Sequence, residues 1–315
     1  MADISMSKKR KKVKDQDNLN GFLFSLPWII GFVCFSIIPL FTSFYYSFTE
    51  FNPIKAPVWV GLDNFKYIFS DPLVIKSLKN TLFMAFVSTP ANLFIALLMA
   101  ALLNRKFRGR GVARTIFFMP SVIPMVAATM VWIWMFDPTY GYINRVLSIF
   151  GIHGPSWLVN PAYTKWSLVL MGAWTTGTTM LICLASLQDV PRSYYEAADI
   201  DGANSIQKFF KITMPCIAPV LVYQGILNII NAFQYFTQVY VIISASSGGG
   251  AATAGGGPAN SILMYPLYLF NTAFSYMKMG RASAMAWLLF LIVSVLTFIM
   301  TKVTKKVSDS GMGGE

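Results

Sequence analysis

Six long apolar segments restrict what this chain can fold into. Each is long enough to cross a hydrocarbon layer about 30 Å thick, which takes a helix of about 20 residues, and none carries Asp, Glu, Lys or Arg in its central part. The segments lie at 21–48, 79–103, 113–136, 166–187, 216–243 and 282–302. Because backbone polar groups cannot stay unpaired in lipid, such segments span as helices. The sequence therefore predicts an all-α integral membrane protein with six transmembrane helices, and 55% hydrophobic with 12% charged residues excludes a soluble domain of this length.

Basic residues are distributed unevenly between the regions that flank these spans. The N-terminal region, residues 105–114, the loop 188–215 and the C-terminal region together hold 17 of the 25 Lys and Arg residues. Since Lys and Arg concentrate on the cytoplasmic side of membrane proteins, both termini and the 188–215 loop are predicted to face the cytoplasm. The asymmetry also accounts for the net charge of +12. The basic run Lys8 to Lys12 directly precedes a span, so no nucleic-acid partner is expected.

The chain offers few residues for catalysis or metal binding. Cys34, Cys183 and Cys216 lie in or beside spans, and His153 is the only histidine, so neither a disulfide framework nor a metal site is predicted. The sequence contains no GxxxxGKS/T loop, and it is not expected to bind ATP phosphates in the P-loop manner. We therefore expect a protein that is not an enzyme and carries no cofactor of its own.

The polar segment between the fourth and fifth spans has signals for two short helices around a break. Pro191 disfavours helix immediately before it. Ser193 and Glu196 then have the spacing of a capping box, and Gly202 is a natural helix stop. Asn204 is placed to cap the second helix.

Part of this loop also has a recognisable spacing. Glu196-Ala197-Ala198 is followed after three residues by Gly202, and after nine more by Ile212-Thr213-Met214-Pro215. This run resembles the EAA loop of binding-protein-dependent ABC importers, with Met214 where Leu is usual. The resemblance implies the type I ABC importer permease fold, in which this loop docks on a separate ATPase subunit. The ATPase-coupling residues that it implies are Glu196, Ala197, Ala198, Asp199, Gly202 and Pro215, with Pro215 restarting the chain into span five.

Further motifs resemble the carbohydrate-uptake branch of these importers, the maltose-type and glycerol-phosphate-type permeases. They are Trp59 to Phe65, Phe136 to Asn144, Ser156 to Leu158, Gly256 to Asn260 and Met279 to Ala284. The resemblance implies a multi-pass protein of the bacterial cell membrane with a second, homologous permease in a heterodimer. Two ATPase subunits, which hold ATP and Mg, and an extracellular solute-binding protein that delivers a sugar complete the implied complex. The Gly/Ala/Ser-rich stretch 244–257 departs from the family's short turn and is predicted to be flexible.

Polar side chains form a stripe in the fifth apolar segment. Its members, at steps of four, three, four and three residues, are Gln224, Asn228, Asn231, Tyr235 and Gln238. Such steps place them on one face of a helix, and uncharged amides suit a hydroxyl-rich ligand because they donate and accept without the desolvation cost of charge. The stripe is therefore predicted to line the substrate path, and the alternative is that its amides join neighbouring helices. Span four adds Trp174, Thr175 and Thr178 to the predicted path.

Two other functions are left open. The same importer class could carry glycerol-phosphate or another small polar solute, but an anionic phosphate favours Arg or Lys on the cavity wall. An ion-coupled secondary transporter is expected to carry a carboxylate inside a span. The spans show neither feature. The predicted organisation is a basic cytoplasmic tail (1–20), the first helix with an external loop (21–78), a permease core (79–302) that includes the loop 188–215, and a cytoplasmic tail (303–315).

Overall fold

Helices make up most of the part of the chain that the structure describes. This structure is a computed structural model that covers residues 20–246 and 255–311, with side chains up to Lys302. Residues 1–19 of the predicted N-terminal tail, 247–254 of the Gly/Ala/Ser stretch and 312–315 of the predicted C-terminal tail lie outside the described residues. The helices are α1 (Asn20–Ser47), α2 (Asp63–Ser70), α3 (Pro72–Asn104), α4 (Arg110–Phe118), α5 (Met125–Met135), α6 (Tyr142–Ile149), α7 (Pro161–Trp174), α8 (Gly177–Asp189), α9 (Arg192–Ile200), α10 (Ser205–Lys208), α11 (Met214–Phe233), α12 (Thr237–Ser246), α13 (Tyr265–Phe270) and α14 (Met279–Gly311).

The predicted six spans are present if two bent helix pairs each count as one span. Four helices are long and apolar enough to cross a membrane by themselves: Asn20–Ser47, Pro72–Asn104, Ser205–Ser246 and Met279–Lys302. The other two spans consist of α4 with α5, which meet at 100°, and α7 with α8, which meet at 51°. The sharp bend has a local cause, because Ile123 adopts the extended conformation that a following proline, here Pro124, imposes.

Three of the long helices contain a π-helical turn that ends two residues before a proline. The turns are Val33–Ile37 before Pro39, Met84–Ser88 before Pro90 and Phe209–Thr213 before Pro215. A proline ring clashes with the carbonyl four residues earlier and removes one hydrogen bond of the helix. In each case that carbonyl belongs to the π turn, and a π bulge absorbs the clash without ending the helix. Each of these three prolines is thus accommodated by a bulge without a break, whereas Pro219 lies inside the regular helix α11.

Small and apolar side chains hold the long helices together. At one end of the bundle the buried core includes Phe136, Leu168, Phe233 and Tyr265. Towards the 188–215 loop a second core joins α3, α8 and α11 through residues that include Ala96, Ala100, Met180, Cys183 and Ile217. Alanines at such positions let helix backbones approach closely, which is how helices pack in lipid.

A short β-hairpin follows α1, an element that the apolar pattern did not predict. Strand β1 (Thr49–Asn52) pairs antiparallel with β2 (Lys55–Trp59). The side-chain amide of Asn64 in α2 donates to the backbone oxygens of Ser47 and Thr49 and holds the hairpin at the end of α1. Gly280, near the start of α14, has no room for a Cβ because the Thr49 carbonyl occupies that space.

Candidate functional site

A cavity of about 460 Å³ lies between α3, α8, α11 and the residues that follow α11. Its lining is Met84, Ser88, Thr89, Asn92, Met125, Gly172, Thr175, Thr176, Thr179, Asn228, Asn231, Ala232, Gln234, Tyr235, Phe236, Thr237 and Gln238. Among these described residues none is Asp, Glu, Lys, Arg or His. The cavity therefore offers amide and hydroxyl groups without a formal charge.

The structure brings five residues of the predicted path to this cavity: Asn228, Asn231, Tyr235, Gln238 and Thr175. However, the fifth span is not one regular helix across the stripe. Helix α11 ends at Phe233, residues 234–236 are irregular, and α12 begins at Thr237. Tyr235 and Gln238 thus reach the cavity through this interruption and not through the three- and four-residue steps of a continuous helix.

Three other residues of the predicted path do not line the cavity. Gln224 is buried among the helices one turn before Asn228. Trp174 packs edge-on against Trp132, with ring centroids 5.8 Å apart, in the apolar core. Thr178 is exposed, because the cavity-facing side of α8 carries its neighbours 176 and 179. The polar pattern did not separate these three from the cavity-lining residues, since a pattern along one helix does not show which neighbour covers each face; their place in the path stays a prediction.

Asn92 of α3 is a cavity residue that the sequence analysis did not assign to the substrate path. Its amide nitrogen donates to the Ser88 hydroxyl at 3.2 Å, and Gly172 of α7 leaves the space into which the amide projects. Ser88 and Asn92 are four residues apart in an apolar segment, so their shared helix face was a usable signal. What the spacing could not show is that α3 and α11 face the same cavity.

Two buried polar atoms of this cavity have no hydrogen-bond partner among the described residues. They are the side-chain oxygen of Asn92 and the hydroxyl of Tyr235. An unsatisfied buried polar group costs about 1–3 kcal/mol, and such groups are rare in folded proteins. Both residues line the uncharged cavity, and an amide and a phenol hydroxyl are groups that can bind a ligand carrying hydroxyl groups.

The loop 188–215 differs from its prediction in how its helices begin. Helix α9 starts after Pro191, and no side chain caps it. Ser193 and Glu196 therefore do not form the expected capping box, because Ser193 already lies inside the helix. The observed capping box is the second one, in which Asn204 and Gln207 exchange side-chain and backbone hydrogen bonds of 2.9 Å at the start of α10.

Gly202 ends α9 as predicted. Its φ of +74° lies in the left-handed region that favours glycine. The Gly202 amide donates to the Asp199 carbonyl at 3.2 Å and the Ala203 amide to the Ala198 carbonyl at 2.9 Å, which is the bonding pattern of a Schellman motif. Pro215, in contrast, does not restart the chain, since α10 continues through the π turn Phe209–Thr213 into α11.

Two side-chain contacts fasten α9 to the helix that follows it. The Tyr195 hydroxyl and the Thr213 hydroxyl are hydrogen bonded at 2.8 Å. Asp199 forms an ion pair with Lys208. The carboxylate of Asp199, which the resemblance implies to be an ATPase-coupling residue, thus has a partner within this chain.

The family of this chain follows from comparison with known proteins. Residues 92–309, more than half of the chain, match the family described as "Binding-protein-dependent transport system inner membrane component". The chain belongs to this family. It is 41% identical to the "Probable ABC transporter permease protein YesP" of Bacillus subtilis (strain 168), over 94% of this chain and 93% of that protein. It is 32% identical to the "Lactose transport system permease protein LacF" of Rhizobium radiobacter, over 92% of this chain and 95% of that protein.

The fold of this permease also occurs in a solved importer. A chain of the structure titled "Crystal structure of a bacterial ABC transporter involved in the import of the acidic polysaccharide alginate" superposes with a TM-score of 0.79. The superposition covers 94% of this permease and 98% of that chain at 21% sequence identity, so the likeness concerns the fold. The predicted type I ABC importer permease fold is confirmed.

The 188–215 loop of this permease presents both charged and apolar groups at its surface. Ile200 and Ile206, on either side of the Gly202 turn, are 88% and 70% exposed. Glu196 is exposed beside them, whereas Ala198 is buried against the rest of the chain. Large apolar side chains on a polar loop outside the spans are characteristic of a binding surface.

Proposed function

We propose that this permease forms the membrane path of an ATP-binding-cassette importer for neutral sugars or oligosaccharides. The cavity carries this proposal. Its described lining is uncharged, and it contains amides from α3 and α11 together with the unpartnered atoms of Asn92 and Tyr235. Amides and hydroxyls can donate to and accept from sugar hydroxyls, and a cavity of about 460 Å³ is within the range of small-molecule sites.

The absence of charge from the described lining favours neutral sugars over the alternatives. LacF is named for lactose, whereas the solved importer is titled for an acidic polysaccharide. Desolvating a carboxylate or phosphate without a basic partner is costly. Glycerol-phosphate is therefore disfavoured for this permease. An ion-coupled secondary transporter is disfavoured as well, because no carboxylate lines the described cavity.

The proposed complex contains a second, homologous permease, two ATPase subunits that hold ATP and Mg, and an extracellular solute-binding protein. The family description supports dependence on a binding protein. The exposed side of the 188–215 loop, with Glu196, Ile200 and Ile206, supports docking on an ATPase. In this proposal the protein lies in the bacterial cell membrane with both termini in the cytoplasm, and the core 79–302 contains the path.

The test is the ATPase activity of the complex purified with its partner subunits and reconstituted in liposomes. With the binding protein present, neutral oligosaccharides are expected to raise ATP turnover and to enter the vesicles, and uronic-acid oligosaccharides are not. Accumulation of solute by the permease without an ATPase would overturn the importer assignment. Stimulation by uronic-acid sugars alone would overturn the neutral substrate class.

A pair of variants on α3 tests the cavity itself. Asn92→Leu keeps the side-chain size but removes the amide, and transport is expected to fall about tenfold, since one hydrogen bond to a buried group is worth about 1–3 kcal/mol. Asn104→Leu is the matched control, because Asn104 is exposed at the end of the same helix, outside the cavity. Equal transport by both variants would show that the sugar does not pass Asn92.

A further inference from the structure

The two contacts that fasten α9 to the following helix span the turn that separates them. Tyr195 lies in the middle of α9, and Thr213 is the last residue of the π turn before α11. The Asp199–Lys208 ion pair lies nearer the Gly202 turn. Helix α9 is thus attached to the following helix at two positions, one near the Gly202 turn and one at the start of α11.

The hydrogen bond between Tyr195 and Thr213 joins two hydroxyls, and either of them can donate to the other at 2.8 Å. The Thr213 hydroxyl also lies 3.4 Å from the Lys208 carbonyl. Thr213 is buried and Tyr195 half-buried, so bulk water competes weakly for this bond.

The bond between Tyr195 and Thr213 lies at the π turn, the irregular part of the helix. In the turn Phe209–Thr213 the Met214 amide donates to the Phe209 carbonyl, five residues back. Pro215 then lacks an amide proton with which to restore the regular pattern. Helices bend most readily at such bulges. Without the Tyr195–Thr213 bond, a displacement of α9 would bend the helix at this π turn and would not move α11.

We propose that Tyr195, through Thr213, is a positioning residue that makes α9 and α11 move as one unit. This inference rests on the proposed function, in which an ATPase displaces the 188–215 loop. From Thr213, α11 runs 15 residues to Asn228, a distance of about 22 Å at 1.5 Å per residue. Helices α9 and α11, joined by this bond, thus connect the exposed surface of the loop to the amides of the cavity.

The experiment compares sugar imported per ATP hydrolysed in the reconstituted full complex. Tyr195→Phe removes one hydroxyl of the bond, and Thr213→Val removes the other. Each is expected to lower the ratio about fivefold, the equivalent of one hydrogen bond of about 1 kcal/mol. The double variant is expected to lower it no further, because both changes remove the same bond.

Two controls separate this role from general destabilisation. Thr213→Ser keeps the hydroxyl and is expected to keep the wild-type ratio. Tyr194→Phe makes the same change at the exposed neighbouring tyrosine and is also expected to be silent. Co-purification of the ATPase with every variant is expected to equal that of the wild type.

The outcomes distinguish the inference from the function on which it rests. If the wild type imports sugar with ATP and Tyr195→Phe keeps the wild-type ratio, the positioning role is refuted and the importer stands. Additive losses in the double variant likewise refute a shared bond. If the wild-type complex hydrolyses no ATP in response to sugar, the proposed function fails and the positioning role fails with it.

Discussion

Replacement of Gly177 by alanine tests a close backbone contact between two spans of this permease. Gly177 is the first residue of α8, where span four bends by 51°. An added Cβ would lie 2.8 Å from the Phe117 carbonyl oxygen and 2.9 Å from the Phe118 Cα. Both neighbours are backbone atoms, which no side-chain rotation can move away. The end of α4 must therefore retreat if alanine is to fit.

The size of the effect follows from these distances. Ordinary contact begins at 3.4 Å, so α4 must move by roughly 0.6 Å, and overpacking of this kind costs about 1–3 kcal/mol. Gly225→Ala is the matched control, because Gly225 lies inside α11 with nothing within 4 Å of its added Cβ. There alanine removes the conformational cost of glycine in a helix and is expected to stabilise by up to about 1 kcal/mol.

The measurement is thermal unfolding of the purified permease in detergent. Gly177→Ala is expected to lower the melting temperature and Gly225→Ala to leave it unchanged or raise it, so only the substitution at the backbone contact is destabilising. A melting temperature of Gly177→Ala at or above that of the wild type would show that the two backbones are not in close contact, and the reasoning would be refuted.

Two further predictions concern the loops at opposite ends of the bundle. Gly202→Val places a β-branched side chain at φ +74°, which is expected to destabilise the turn by about 1–2 kcal/mol and to speed hydrogen exchange of the Ala203 amide. Asn tolerates this conformation, so in Gly202→Asn the Ala203 amide is expected to exchange nearly as slowly as in the wild type. Equal exchange in the two variants would contradict the left-handed turn. In the loop after α5, the Thr139 hydroxyl, and then the amides of Tyr140 and Thr139, hold the pKa of Asp137 below its usual value by hydrogen bonding to the carboxylate. Because the pKa is lower in the folded chain, this group stabilises the fold above the ordinary aspartate pKa near 4, and the contribution is lost as the pH falls through the lowered value. Melting temperatures measured from pH 6 to pH 3 are expected to fall less steeply for Thr139→Val, and an unchanged slope would argue against the bond.

Local signals predicted much of the 188–215 loop. Pro191 was expected to exclude helix before it and Gly202 to end α9, and both effects depend only on the conformations that these residue types allow. The capping of α9 was mispredicted, because Ser193 fits the capping-box spacing equally well inside the first turn. The helix instead begins two residues earlier, directly after Pro191, and no side chain caps it there.

The cavity was predicted only in part, for a different reason. Asn228 and Asn231 were found because they share one face of a single helix. Asn92 was not assigned to the path, because its role depends on Gly172 of another helix, 80 residues away in sequence. Trp174, which was predicted to lie on the path, packs instead against Trp132, a contact that its own polar segment gives no sign of.

By itself the sequence determined the membrane-spanning helices and the turn at Gly202, because each of these depends on hydrogen bonds and steric contacts within a few residues. The six apolar segments had to become helices, since lipid provides no partner for backbone groups. Only the tertiary structure decided which faces meet. The close approach of Gly177 to α4, the convergence of Asn92 with Asn231 around one cavity and the bond from Tyr195 to Thr213 depend on the packing of several helices at once. The sequence of one helix cannot specify such contacts, because in lipid every apolar face is equally able to meet lipid or another helix.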